Sequence, residues 1–383
     1  MRILEIHALY RQLGGEETVV AAERAMLQAA GHEVDTWRIE NPDSTLLAAR
    51  DFALAAWNPL RARALRRHCE AVAPDVVHVH NTWFAASPSV IASAVGAGVP
   101  VVMTLHNYRL VCANGEMLRD GRPCEVCVGR GPWSAVRYGC YRQSHSASVM
   151  AAATISVGRR TGVWSDGVAR FGALTRFAAQ RMVAGGLPGE KVAVLPHVVE
   201  DLGVRPLPPS GSDTVLYVGR LTAAKGVPTL VRAWRARPPA GLKLRIIGTG
   251  PAAAEITAID APGVELVGWV DKQRVREEMC GARALMFPSE WYEGMPMTLL
   301  EAFSCGLPVL GSDLGSVAEI VGGVGSRWLV PPRDQHAWTE AFTRLLDDAF
   351  VDHGARAARR IYETTHTPRA GLARLERFYR GAI

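Results

Sequence analysis

Glu293-Gly294-Met295-Pro296-Met297-Thr298-Leu299-Leu300-Glu301-Ala302-Phe303, followed by Ser304-Cys305-Gly306-Leu307-Pro308-Val309, is the most informative stretch of this 383-residue chain. Pro296 suits the first position of a helix, where its missing N–H would have had no partner. The pattern therefore predicts a loop acid, Glu293, just ahead of a helix N-terminus, with Glu301 a turn or so inside. The unpaired N–H groups near Met297 and Thr298 would face an anion. The two carboxylates suit hydrogen bonds to sugar hydroxyls on either side of that anion. A capped helix with incidental acids accounts for Glu301 but not for the Gly-x-Pro after Glu293. The segment Pro308-Val309-Leu310 then reads as a short strand, so the stretch is one step of an α/β chain.

The same step repeats in both directions. Thr214 to Val218, Leu242 to Ile247, Val264 to Val267 and Ala284 to Phe287 read as strands, separated by helical stretches such as Thr229 to Arg237. Upstream, Pro196, Pro206, Pro208 and Pro209 with Ser210-Gly211-Ser212 give the composition of a linker. Before it the alternation resumes: Arg2 to His7, Gly31-His32-Glu33-Val34, Pro74 to His80 and Val99 to His106 read as strands, and Glu16 to Ala30 has helical spacing. Short β-branched runs separated by helices imply parallel sheets. The expected fold class is α/β, with two Rossmann-like halves joined by one hinge and a ligand cleft between them. The segment Arg369 to Arg380 reads as an amphipathic helix, with Leu372, Leu375, Phe378 and Tyr379 on one side.

Composition excludes several classes. The 48% apolar and 21% charged content is that of a folded globular protein. No apolar run reaches membrane-spanning length; Ser146 to Val157, the nearest, is short and carries Ser and Thr. Met1 to Tyr10 has no basic-then-apolar layout and so is not read as a signal peptide. The net charge of +6 leaves nucleic acid, a membrane surface and small anions as partners. The basic residues are almost all Arg, with only Lys191, Lys225, Lys243 and Lys272 as lysines. The excess sits before the linker, where 21 basic residues face 16 acidic ones. No aromatic-basic RNA motif accompanies it, so nucleic acid is not expected.

In open parallel sheets, ligands bind at the carboxyl ends of strands. Gly14-Gly15-Glu16-Glu17 follows the first strand, and glycines there let the backbone approach an anion. The stretch lacks the three-glycine dinucleotide fingerprint, which counts against a nicotinamide dehydrogenase. Gly219-Arg220-Leu221-Thr222-Ala223-Ala224-Lys225-Gly226 follows the strand ending at Val218. Arg220 and Lys225 there either converge on a diphosphate or lie solvated on the surface.

Glu293 and Glu301 match the Glu-x7-Glu motif, and the chain resembles the retaining GT-B glycosyltransferases, in particular glycosyltransferase family four (glycosyl transferases group 1). Gly14-Gly15-x-Glu17 resembles that family's glycine loop, and Gly219-Arg220 with Lys225-Gly226 its diphosphate-binding pair. Ile247-Gly248-Thr249-Gly250-Pro251 and Gly268-Trp269-Val270 resemble its nucleotide-pocket strands, and Ser312 to Val321 the loop after the motif. The resemblance implies that Glu301 holds the ribose hydroxyls and Glu293 the donor sugar. Arg220 and Lys225 would neutralise the leaving diphosphate, Val270 would meet the base through its backbone, and Gly250, Gly294, Met295, Pro296, Met297 and Thr298 would line the donor. His106 resembles the family's cleft histidine and, with Asn107, His80 and Asn81, is placed on the acceptor side.

The implied organisation is an acceptor-binding domain at 1–195 with a Cys-rich insertion at 112–140, a hinge at 196–212, and a nucleotide-sugar domain at 213–365. A helix at 366–383 would pack back on the first domain. The implied reaction moves a sugar from a nucleotide-diphosphate donor (UDP favoured over GDP) to a glycan, lipid-linked or small-molecule acceptor, in bacterial glycan or glycoconjugate biosynthesis. With two cations for the diphosphate and no Asp-x-Asp triplet, no catalytic cofactor is expected. A natural-product glycosyltransferase, or a nucleotide-sugar epimerase or sugar phosphorylase on the same architecture, is the alternative. Pro196-His197-Val198-Val199-Glu200 departs from the Pro-Asn-Gly of many relatives, which leaves that loop without an assigned role.

Two features stand apart. Cys124-x2-Cys127 is a metal-type pair; with Cys112 and Cys140 it forms a four-thiolate set in a glycine-rich loop that suits a structural Zn²⁺, with unbound thiols or a redox pair as alternatives. Arg61, Arg63, Arg66 and Arg67 make a basic helical surface, either a solvated face or a contact for anionic lipid. The expected location is cytoplasmic, with peripheral contact at the inner face of the membrane.

Overall fold

The computed structural model describes residues 1–9, 14–40, 45–203, 205 and 207–383, with the backbone alone at 45–47. Tyr10 and Pro206, which fall in segments read above, lie outside the described residues. The chain forms two compact units. One comprises Met1–Met117, Cys124–Pro196 and Leu372–Ile383; the other comprises Leu118–Pro123 and His197–Gly371.

The first unit is built on a six-stranded parallel sheet. Its strands are β1 (Arg2–Ala8), β2 (Glu33–Ile39), β3 (Val76–Asn81), β4 (Val101–Leu105), β7 (Arg170–Ala173) and β8 (Val192–Val194), in the order β2-β1-β3-β4-β7-β8. Between β4 and β7 the chain makes a two-residue-per-strand hairpin, β5 (Leu118–Arg119) and β6 (Arg122–Pro123). Every residue of β3 and β4 is buried, as strands covered on both faces require. The side chains of Ile3, Val76 and Val102 pack with Leu375, Phe378 and Tyr379 from the helix Pro368–Arg380. Those three residues belong to the apolar side read from the sequence.

The second unit repeats the plan with β9 (Thr214–Val218), β10 (Lys243–Ile247), β11 (Val264–Gly268), β12 (Ala284–Phe287), β13 (Val309–Ser312) and β14 (Leu329–Val330). Their order is β11-β10-β9-β12-β13-β14, and all pairs are parallel. In each sheet the strand order reverses between two neighbours, β1 and β3 in the first and β9 and β12 in the second. The crevice at such a reversal is where open α/β sheets bind ligands. Among the described residues no helix is long and apolar enough to cross a membrane.

Candidate active site

The loop after β9 is shaped by glycines. Gly226 has φ +71°, and a Cβ there would lie 1.8 Å from the Pro288 carbonyl oxygen. A Cβ on Gly248 would lie 1.9 Å from the carbonyl oxygen of Gly219. Only glycine lets the two turns close, and the contact brings the β9 loop against both the β10 loop and the segment leaving β12. Leu221 N–H donates to Thr249 O (2.9 Å) and Glu290 N–H to Ala224 O (2.8 Å), which complete the cradle.

Lys225 emerges from this cradle and meets Glu293. Its Nζ donates to Glu293 Oε1 at 2.8 Å, and the ammonium stands over the rings of Trp291 (5.5 Å) and Phe287 (5.9 Å). The same Oε1 accepts from Ser289 Oγ (2.6 Å) and Trp291 Nε1 (2.8 Å). Glu293 is 5% exposed, so a charged acid is held in a dry position by three donors, one of them a cation. Tyr217 Oη donates to the Arg220 carbonyl at 3.0 Å and so fixes the turn that carries Arg220. Burial, and then the charge of Glu293, pushes the Tyr217 phenol well above its usual range, which keeps it a donor.

The helix after Glu293 spans Met297–Ser304, with Pro296 as its N-cap in an extended conformation. The sequence placed Pro296 inside the first turn; it stands one position earlier, and Met297 and Thr298 are the first two residues of the helix. Glu301 is half-buried, and burial pushes its carboxyl up against the opposing pull of Lys272. His197, left without a role above, donates its backbone N–H to Met295 Sδ (3.2 Å), while its carbonyl meets His366 Nδ1 (2.9 Å). The segment after Pro196 thus straps the Met295 loop.

In the first unit the carboxyl ends of β1, β3 and β4 gather three histidines. His80 Nδ1 lies 3.0 Å from His106 Nε2, and the His7 ring stands edge-on to His80 at 6.2 Å. His7 Nδ1 is 3.6 Å from Glu16 Oε1, and its Nε2 is 4.0 Å from Glu17 Oε1. Burial, then the Glu17 charge, pushes Glu16 up to about 8, and burial pushes His7 down. Gly14 caps the helix Gly15–Ala29, and its N–H donates to Glu17 Oε2 at 2.7 Å. Asn81 lines the same cavity as His80, His106 and Asn107. It is buried, its Nδ2 donates to Ala8 O (2.8 Å), and its Oδ1 accepts from Trp83 N–H (2.9 Å), which ties β3 to β1. Asn107 Oδ1 accepts from Arg109 N–H at 3.0 Å, an Asx turn that shapes the loop after His106.

Sequence reasoning missed His7, Glu16, Ser289 and Trp291. His7 is the penultimate residue of β1, as His80 is of β3, so strand-end position was a signal for it. Ser289 and Trp291 carried none, because they matter only through the carboxylate oxygen they share.

The four cysteines read as a zinc set are neighbours of one another. Among the described residues no three His, Cys, Asp or Glu side chains come together as a metal ion requires. Cys112 Sγ donates instead to Asn114 Oδ1 at 2.9 Å. Burial, with the neighbouring Cys112, Cys140 and Cys124, pushes Cys127 up to about 11. Backbone bonds fold this segment: Tyr108 N–H to Gly115 O (2.9 Å), Cys124 N–H to Met117 O (2.7 Å) and Cys140 N–H to Ala135 O (3.0 Å).

The family model "Glycosyltransferase Family 4" matches residues 13–201, and "Glycosyl transferases group 1" matches residues 212–348; together they cover most of the chain. The chain is 29% identical over 298 residues to the 2-deoxystreptamine N-acetyl-D-glucosaminyltransferase of Streptomyces fradiae, covering 73% of this chain and 63% of that protein. It is also 29% identical over 213 residues to the amylovoran biosynthesis glycosyltransferase AmsK of Erwinia amylovora, covering 50% of this chain and 51% of that protein. The chain thus spans about half to two thirds of these relatives' length. Among solved structures, Anabaena HepE in complex with UDP and glucose superposes with a TM-score of 0.68 at 16% identity, over 98% of this chain and 99% of that one. Two parallel six-stranded sheets of this topology, the full-length structural match and the two family models lead to one conclusion: the chain has the GT-B fold and belongs to the family-four glycosyltransferases (glycosyl transferases group 1).

Proposed function

We propose that the enzyme moves a sugar from a UDP-sugar to a hydroxyl of a glycan or lipid-linked acceptor in bacterial glycan biosynthesis, with retention at the anomeric carbon and without a catalytic metal. The observation that carries this reading is the Lys225–Glu293 pair beside Arg220, at the strand-order reversal of the second sheet. Arg220 and Lys225 offer fixed positive charge where a diphosphate departs, the largest charge developed in the transition state. Glu293 orients the sugar hydroxyls, Glu301 the ribose, and the N–H groups of Met297 and Thr298 the phosphate. Gly219, Gly250 and the Val270 backbone complete the nucleotide side. The first unit receives the acceptor beside His106, while its Gly14-Gly15 loop serves the donor. The UDP held by HepE supports uridine as the base, and the polysaccharide context of AmsK supports a glycan acceptor. Contact with anionic lipid rests on Arg63 and Arg67, exposed on the helix Pro59–Val72. Arg61 and Arg66 are engaged with Asp51 (3.4 Å) and Glu70 (3.0 Å).

A panel of UDP- and GDP-sugars tests the reading, with nucleotide release followed before and after chelator treatment and the product anomer read by NMR. The expected result is UDP release that survives the chelator and a product of unchanged anomeric configuration. An inverted product, or dependence on an added divalent ion, overturns the retaining or the metal-free part. Lys225→Ala and Glu293→Ala should each abolish release in a folded protein, and full activity in either overturns the site.

A further inference from the structure

A chain of buried aromatic side chains runs from the last helix to His106. Residues two apart on a strand point to the same face, so His78 and His80 of β3 lie side by side, with ring centroids 4.0 Å apart. His78 is fully buried and both its ring nitrogens are engaged: Nδ1 lies 2.8 Å from Tyr379 Oη, and Nε2 lies 2.8 Å from Thr104 Oγ1 on β4. Burial pushes His78 down to about 3, so it is a neutral ring anchored at two points. Tyr379 is itself fully buried in the helix Pro368–Arg380. His80, 3% exposed, packs on this fixed ring and reaches His106 Nε2 at 3.0 Å. Two imidazole nitrogens at that distance share one proton. The partner that donates sets which nitrogen of the other carries its own hydrogen.

We infer that His80 is a positioning residue that fixes the tautomer and orientation of His106, and that Tyr379, through His78, anchors His80. This adds a positioning role to the sequence-based placement of His80 on the acceptor side, and it rests on the proposed function only in placing His106 on that side. With Nε2 committed to His80, the His106 ring is held in one orientation. The charged and titratable groups around the pair are His78 on the same strand, His7 on β1 with Glu16 and Glu17 beyond it, Arg109 in the loop after β4, and Tyr379.

The test has two arms. In the first, histidine-¹⁵N-labelled protein is examined by two-bond ¹H–¹⁵N correlation without any substrate. The parent should show one dominant His106 tautomer. His80→Asn should give a mixture and a displaced His106 titration, whereas His80→Gln, whose amide reaches further, should recover most of the parent pattern. Tyr379→Phe, which removes one oxygen from a packed ring, should broaden the His80 and His106 signals. In the second arm, transfer is assayed across pH 5.5–9. His80→Asn should lower kcat about tenfold or more and move the pH profile, with the donor KM unchanged. An unaltered His106 tautomer and pH profile in His80→Asn and Tyr379→Phe would overturn the inference. A parent enzyme that shows the tautomer effects but transfers no sugar would instead overturn the functional reading alone.

Discussion

Glu293 and Lys225 form a pair whose strength is measurable apart from catalysis. Glu293→Gln keeps the shape but removes the charge that Lys225, Ser289 and Trp291 all address through one oxygen. Breaking a buried ion pair from one side costs about 3–5 kcal/mol, because the remaining charge stays desolvated. Lys225 keeps two aromatic faces near it, so the lower end, about 3 kcal/mol, is expected. In a unit of this size, that lowers Tm by roughly 6–12 °C. Lys225→Met retains the stem over Trp291 and leaves Glu293 with two neutral donors, so its cost should be smaller, about 1–2 kcal/mol. The double variant should be better than the sum of the singles by about 1–2 kcal/mol, since removing both charges leaves neither stranded. Urea titrations of the four proteins give this coupling directly. The kinetic effect is separate: losing one fixed cation at the leaving group should cost about 10²–10³ in kcat. Additivity of the two singles within about 0.5 kcal/mol would refute the pair, and with it the argument that Glu293 is held in place by the cation of the donor site.

Other consequences are open to simpler measurement. Glu16 is raised to about 8, mainly by burial. The folded state therefore binds a proton that the unfolded chain has lost above pH 4.5, and the stability this contributes is present at low pH and lost as pH rises toward 8. Glu16→Gln should lose less stability than the parent between pH 5 and 8.5 in urea titrations, and parallel curves would contradict this. Cys280 is lowered to about 6 by a hydrogen bond with Cys305, with Arg205 and Arg276 assisting. It should be alkylated by iodoacetamide at pH 7 before any other cysteine, as read by peptide mass spectrometry; earlier labelling of Cys127, whose thiol is raised, would refute the assignment.

The second unit was legible because its chemistry and its architecture coincide. β-branched runs gave five of its six strands to within a residue or two, and Arg220, Lys225 and Glu293 lie in the segments after β9 and β12, with Glu301 in the middle of the helix Met297–Ser304. The strands β7 and β8 were not read, because Arg170–Ala173 and Val192–Val194 are too short to show a period and β7 contains Gly172. The first unit's site was half legible. Strand ends pointed to His80 and Asn81, but a sequence does not say that Asn81 is consumed by Ala8 and Trp83 or that His80 is turned toward His106. The four cysteines carried a spacing that the fold brings into one neighbourhood, and the backbone of that segment folds by turns.

The first unit is discontinuous, and this bears on how it can be made. Leu375, Phe378 and Tyr379 fill a core with Ile3, Val76 and Val102, yet they leave the ribosome only after the whole of the second unit. Until then the sheet of the first unit carries an uncovered apolar face and an unanchored His78, so its completion depends on contacts of long sequence separation. Synthesis therefore passes through a state in which the later unit can close while the earlier one stays exposed, which makes the first unit the natural client of a chaperone during translation.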